Sequence, residues 1–160
     1  MSTFQTAALG VILILAMSTA GCSKTGNEKS MTVKQVQAQA IAELQAVVAL
    51  APETWGQDLP RPVPNDCTIG AERGVQFTYF IEADSPSDPE GLVHAASERW
   101  EQQGYRLTKT RTNIDADHGD IFAVVAKATG KPSASMSATI IRAHVYVNSV
   151  CVKGDPDEYR

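Results

Sequence analysis

The chain has no run of basic residues, no long apolar run and no recognisable catalytic motif. Its 14 Lys and Arg are set against 18 Asp and Glu, a net charge of −4. That balance argues against nucleic acid as a partner and against attraction to anionic lipid headgroups. The longest apolar run, residues 7–17 (AALGVILILAM), stops short of the roughly 18 to 20 residues that a membrane-spanning helix needs. There is no G-x-S-x-G elbow, no H-E-x-x-H pair and no glycine-rich phosphate loop behind a strand. His94, His118 and His144 are far apart in sequence. No enzyme chemistry and no cofactor is therefore expected.

What the chain does have begins at its N-terminus. The apolar run leads into Ser18, Thr19, Ala20, Gly21 and Cys22, and the polar segment SKTGNEKS follows at once. This is the pattern of a lipobox. Small side chains suit an extended strand in a peptidase, and the Cys22 thiol accepts a diacylglyceryl group. The match departs from the usual form in two ways. No Lys or Arg precedes the apolar run, and Thr19 stands where Leu is common. An ordinary cleaved secretory signal and a retained N-terminal helix are the alternatives. On the lipobox reading, residues 1–21 are a signal peptide, 22–31 a lipidated flexible tether, 32–152 one globular domain and 153–160 an acidic, frayed tail. Two or more acyl chains hold a protein stably to a membrane. The expected address is the extracytoplasmic face of a cell membrane. The membrane is then the first partner, and an envelope protein or a small ligand is a further one.

Cysteine is scarce, with three in all. Once lipid takes Cys22, Cys67 and Cys151 remain. In an oxidising compartment they most simply pair, with two free buried thiols as the alternative. Two distant cysteines offer too few ligands for a metal.

Residues 32–51 repeat apolar side chains at three- and four-residue steps, from Val33 and Val36 to Leu44 and Val48. The spacing predicts an amphipathic helix, with Thr32 and Gln35 as a capping box and Pro52 as its end. Residues 52–65 carry four prolines and read as a connector, neither helix nor central strand, with Trp55 packing at the core edge. A proline-rich docking motif is the sharper reading of that segment. Residues 75–83 alternate as a strand, Phe80 being the exception. Asp88, Pro89 and Glu90 open a second helix to residue 103, and Gly104 ends it. Residues 105–112 and 121–128 form a hairpin, 129–135 a loop, and 138–147 a long last strand.

The order α-β-α-β-β-β makes an α+β fold. We expect a two-layer sandwich, a mostly antiparallel four-stranded sheet with both helices on one face. A crossover from residue 75 to 108 is right-handed if its strands are parallel.

Lipobox Cys22, a first helix, Trp55 before Cys67, the junction W-E-Q-Q-G-Y-R-L from Trp100, and a last strand running into Cys151 occur together here. In this layout the chain resembles the small LppA-like lipoproteins of actinobacteria, over most of its mature length. The resemblance implies a compact α+β domain with one disulfide outside the membrane. It carries over no catalytic residues.

Two surface features are candidate sites. Asp115, Asp117 and Asp120 flank His118 in a polar turn. Calcium can bind alternating carboxylates, but the glycine and glutamate of an EF-hand loop are out of place here. A solvated turn is the preferred reading, with a weak divalent-cation site as the alternative. On the last strand Arg142, His144 and Tyr146 share one side. If the helices cover the other side, these three lie on an open sheet face suited to a partner or a small ligand. An ordinary solvated face is the plainer alternative. A lipid or small-molecule carrier, with a cavity between helices and sheet, is the second functional reading.

Overall fold

A computed structural model describes residues 30–160 apart from Gln57, Ser85 and His118. The expected signal peptide, Cys22 and most of the tether lie outside the described residues.

Helix α1 (Val33–Val48) starts where the capping box places it. Thr32 Oγ1 accepts from Gln35 N at 3.3 Å, and Gln35 Oε1 accepts from Thr32 N at 2.8 Å. These bonds occupy donors that the first turn leaves unpaired. Val36, Ala40, Leu44 and Val47 form its buried stripe. The helix ends at Val48, before Pro52, and Pro52 opens a separate turn, α2 (Pro52–Trp55). This corrects the expected helix-free connector. Proline suits a first helical position, where its missing N–H is not needed. Trp55 is buried at the core edge, as expected.

Seven strands follow, not four: β1 (Val63–Ile69), β2 (Glu72–Asp84), β3 (Arg106–Asp115), β4 (Gly119–Lys127), β5 (Ser133–Ala138), β6 (Arg142–Asn148) and β7 (Val152–Lys153). Helix α3 (Pro89–Gln102) lies between β2 and β3. Its start is capped by Asp88 Oδ1, which accepts from Gly91 N at 2.8 Å, and Gly104 follows its end at φ +78°. The order across the sheet is β1-β2-β6-β5-β4-β3, with β7 also on β2, and every pair is antiparallel. Four antiparallel steps make β2 and β3 point the same way, yet three strands separate them. The α3 crossover therefore spans the sheet.

Three strands escaped the sequence reading. Strand β1 takes up the end of the proline-rich connector, and Pro64 is tolerated there because β1 is an edge. Strand β5 begins inside the expected loop at 129–135, and the expected last strand at 138–147 is a turn followed by β6. Between the two strands Thr139 Oγ1 accepts from Ile141 N at 3.1 Å and Arg142 N at 3.2 Å, which folds the chain back on itself. Ile141, two residues before buried Ala143, is 46% exposed in that turn. The third is β7, only two residues long. The C-terminal tail is not frayed. Residues Pro156–Tyr159 form a 3-10 turn, Pro156 is buried, and the Tyr159 ring stands edge-on to Phe77 at 5.4 Å. Arg73 ties the turn down through Asp155 at 3.0 Å and Asp157 at 3.5 Å.

The architecture is α+β with an antiparallel sheet. Helix α1 packs on β2 and β6, and α3 on β3, β4 and β5. Paired positions Ile81, Val145, Met136 and Val124 form one row of the covered face. Trp100 of α3 sits on that face with no exposure. Cys67 and Cys151 are bonded, joining β1 to the start of β7. Gly74 lies beneath the bridge. A Cβ there would meet Cys151 Sγ at 2.7 Å and the Val152 carbonyl at 2.8 Å, so only glycine lets the strand pass.

Candidate functional site

Residues that alternate with the core positions face away from both helices. On β6 these are Arg142, His144 and Tyr146, so the structure gathers all three predicted residues on an open sheet face. Pairing brings Phe80 of β2 beside Tyr146, Glu82 beside His144 and Asp84 beside Arg142. The Phe80 and Tyr146 rings lie 4.6 Å apart, and His144 stands edge-on to Tyr146 at 5.6 Å. Phe80 is 38% exposed and Tyr146 39%. An aromatic pair left half in water has apolar surface to offer a partner. Ser137 Oγ and His144 Nε2 are hydrogen-bonded at 2.7 Å, which orients the imidazole. Arg142 Nη1 approaches Glu82 Oε2 at 3.6 Å, so this end of the face carries paired charge.

Phe80 was legible in the sequence only as a break in alternation. The structure shows that break to be the second ring of the aromatic pair. Ser133 and Ser135 fall in the expected loop at 129–135, and Ser137 lies between it and the expected strand at 138–147. The signal was present, since Ser alternates strictly with Ala134, Met136 and Ala138.

The acidic turn does not assemble. Asp120 accepts from Asn113 Nδ2 at 2.8 Å and from Arg111 Nε at 2.6 Å. Those two groups hold its carboxyl below the usual carboxylate range. Asp115 Oδ1 accepts from Asp117 N at 3.0 Å, as in a turn. Among the described residues no three His, Cys, Asp or Glu side chains are grouped to hold a metal. His118 lies outside the described residues.

Ionisable groups also converge where α1 and α3 meet the β4–β5 turn, around an open hollow of about 440 Å³. Glu43 accepts from Trp100 Nε1 at 2.8 Å and pairs with Arg99 at 3.6 Å. Lys131 donates to the Gln103 carbonyl at 2.6 Å and lies 5.2 Å from the centre of the Tyr105 ring. Burial pushes the Tyr105 phenol up to about 12, with the Glu43 charge adding to it. Glu43 with Arg99 and Trp100 braces α1 against α3, and Lys131 ties the β4–β5 turn to the end of α3.

The layer between helices and sheet is filled by Leu44, Trp100, Met136 and Val145, each 0–1% exposed. The larger hollows lie at its rim. A carrier cavity in that layer is not supported.

The fold has a solved counterpart. It is similar to the crystal structure of a DUF4853 family protein from Actinomyces odontolyticus, with a TM-score of 0.52 and 16% identity. The match covers 79% of this chain and 72% of that one. At that identity the likeness speaks for the fold alone. No family model matches the chain, and no curated protein matches it.

Proposed function

We propose that this chain is a lipoprotein tethered through Cys22 to the extracytoplasmic face of a cell membrane. There it acts as a non-catalytic domain that binds a partner on the open face of its sheet. The observation that carries the binding role is the half-exposed aromatic pair Phe80–Tyr146, with His144 beside it, on the face that no helix among the described residues covers. Support for the tether comes from the apolar run, the small residues before Cys22 and the polar segment after it. The disulfide and the resemblance to LppA-like lipoproteins agree with an oxidising compartment. No helix among the described residues is long and apolar enough to cross a membrane.

The test has two halves. Protein extracted from its native membrane should have an intact mass that begins at Cys22 and includes a diacylglyceryl group. An unmodified chain from Met1 overturns the tether. A photo-crosslinking side chain at Tyr146 should capture a defined partner in cells. The same probe at Glu98, on the outer side of α3, should not. Equal capture at both positions, or none at Tyr146, overturns the binding face.

A further inference from the structure

The open face carries a second feature, at the far side from Arg142. Arg106 and Lys127 stand directly opposite each other on β3 and β4. Like charges in that position repel. Neither has an ion-pair or hydrogen-bond partner among the described residues, although acidic residues outnumber basic ones in the chain. With Thr108 and Val125 they line a hollow of about 290 Å³. An anion seated there relieves a repulsion that the fold leaves standing.

Between this hollow and the aromatic pair runs β5. Its outward side chains are Ser133, Ser135 and Ser137, facing Asn148, Tyr146 and His144 of β6. The serines are short, with Asn148, Tyr146 and His144 standing above them on the β6 side and Val125 on the β4 side, so β5 forms the floor of a shallow trough that Ala123 leaves open beside Ser137. The trough is about 10 Å wide, two strand spacings, and about 13 Å long. The Ser133 and Ser135 hydroxyls have no partner among the described residues.

We infer that the trough binds an acidic oligosaccharide. A carboxylate sits between Arg106 and Lys127, sugar rings lie against Tyr146 and Phe80, and ring hydroxyls bond the serines. An apolar peptide face laid on this floor would bury serine hydroxyls without partners, which is unfavourable. A polyhydroxylated ligand supplies those partners. The strands beneath the trough are paired on both sides, so no peptide can add to them there as a new strand. The inference rests on the open face being the binding face.

The test titrates the full chain, in detergent, with tetragalacturonate, with its methyl ester and with hexaglutamate. Tetragalacturonate should bind, with affinity falling as salt rises. The neutral ester should bind at least about 10-fold more weakly. The double variant R106A/K127A should lose about 10-fold or more, and Y146A a similar factor. All these side chains are exposed, so far-ultraviolet dichroism and the urea midpoint should change little. Equal binding of acid and ester, or an unaffected double variant, overturns the role of the cationic pair. Hexaglutamate binding as tightly, with the same sensitivity to the variants, makes the ligand an acidic peptide and overturns the sugar. If tetragalacturonate fails while Tyr146 still crosslinks a protein, this inference falls and the binding face stands. If both fail, both fall.

Discussion

On β6, Ala143, Val145 and Val147 have no exposure, while Arg142, His144 and Tyr146 alternate with them and face water. The same seven residues therefore build two surfaces under different constraints. On the covered face, volume decides. Each side chain fills space against α1 or α3, and a missing methyl leaves a void. On the open face, water fills any gap and volume matters little. What counts there is which groups neighbouring strands bring together. Phe80 with Tyr146, Glu82 with His144, and Arg106 with Lys127 are all direct cross-strand pairs.

The covered face is most sensitive at Trp100, which has no exposure. Trp100→Ala should lose about 3–5 kcal/mol in urea unfolding, because a large indole leaves an unfilled space. The same change strips Glu43 of a donor. A loss under about 1 kcal/mol would mean that the covered face is not the core. Next comes the disulfide. Cys67→Ser with Cys151→Ser should cost roughly 2–5 kcal/mol, since the bridge closes a loop of 84 residues in the unfolded chain. Reductant should act on the natural protein to a similar extent and on the double variant not at all.

Val145 and Tyr146 are adjacent on β6 and face opposite ways. Val145→Ala should cost roughly 2 kcal/mol of stability and leave Tyr146 crosslinking intact. Tyr146→Ala should cost under about 1 kcal/mol, the scale of an exposed cross-strand pair, and remove partner binding. Reversed effects would mean that the two faces had been misassigned.

The smallest effects are electrostatic. Burial raises the Tyr105 phenol to about 12, and Tyr79 is raised by burial too. The folded state holds these protons more tightly than the unfolded chain does. Their contribution is whole below pH 10 and is lost as pH rises above it, towards 12 for Tyr105. Urea midpoints should fall over that window, and Tyr105→Phe should reduce the fall. Asp66 behaves in the opposite sense. Its hydrogen bond from Arg73 holds its carboxyl below the ordinary value of 3.8. That contribution is present above 3.8 and is lost as pH falls through the lowered value. The pair is exposed, so salt should erase it.

Local signals in the sequence were reliable where a single side chain has one good use. Thr32 with Gln35 and Asp88 with Pro89 marked helix starts, and Gly104 marked an end. Alternation from Val75 to Ala83 marked the central strand. The reading failed where a strand lacked the usual composition. Strand β1 is polar and contains Pro64, and it is held by pairing to β2 and by the bridge to Cys151. Strand β5 is made of Ser, Ala and Met, which carry little strand preference, and it is set by β4 and β6 on either side. The acidic tail has no basic cluster beside it in the sequence that would hold it down. Arg73, more than eighty residues earlier, pairs with its Asp155 and Asp157.

By itself, then, the sequence determined the α+β class, the two helix stripes, the central strand and the parity that turns Arg142, His144 and Tyr146 away from the core. All of these depend on periodicity within one segment, and periodicity is local. Only the tertiary structure decided that the sheet has seven strands. It also set Phe80 beside Tyr146 and placed Arg106 opposite Lys127. Those facts depend on register between distant segments, and register is set by packing the covered face, which no single segment encodes.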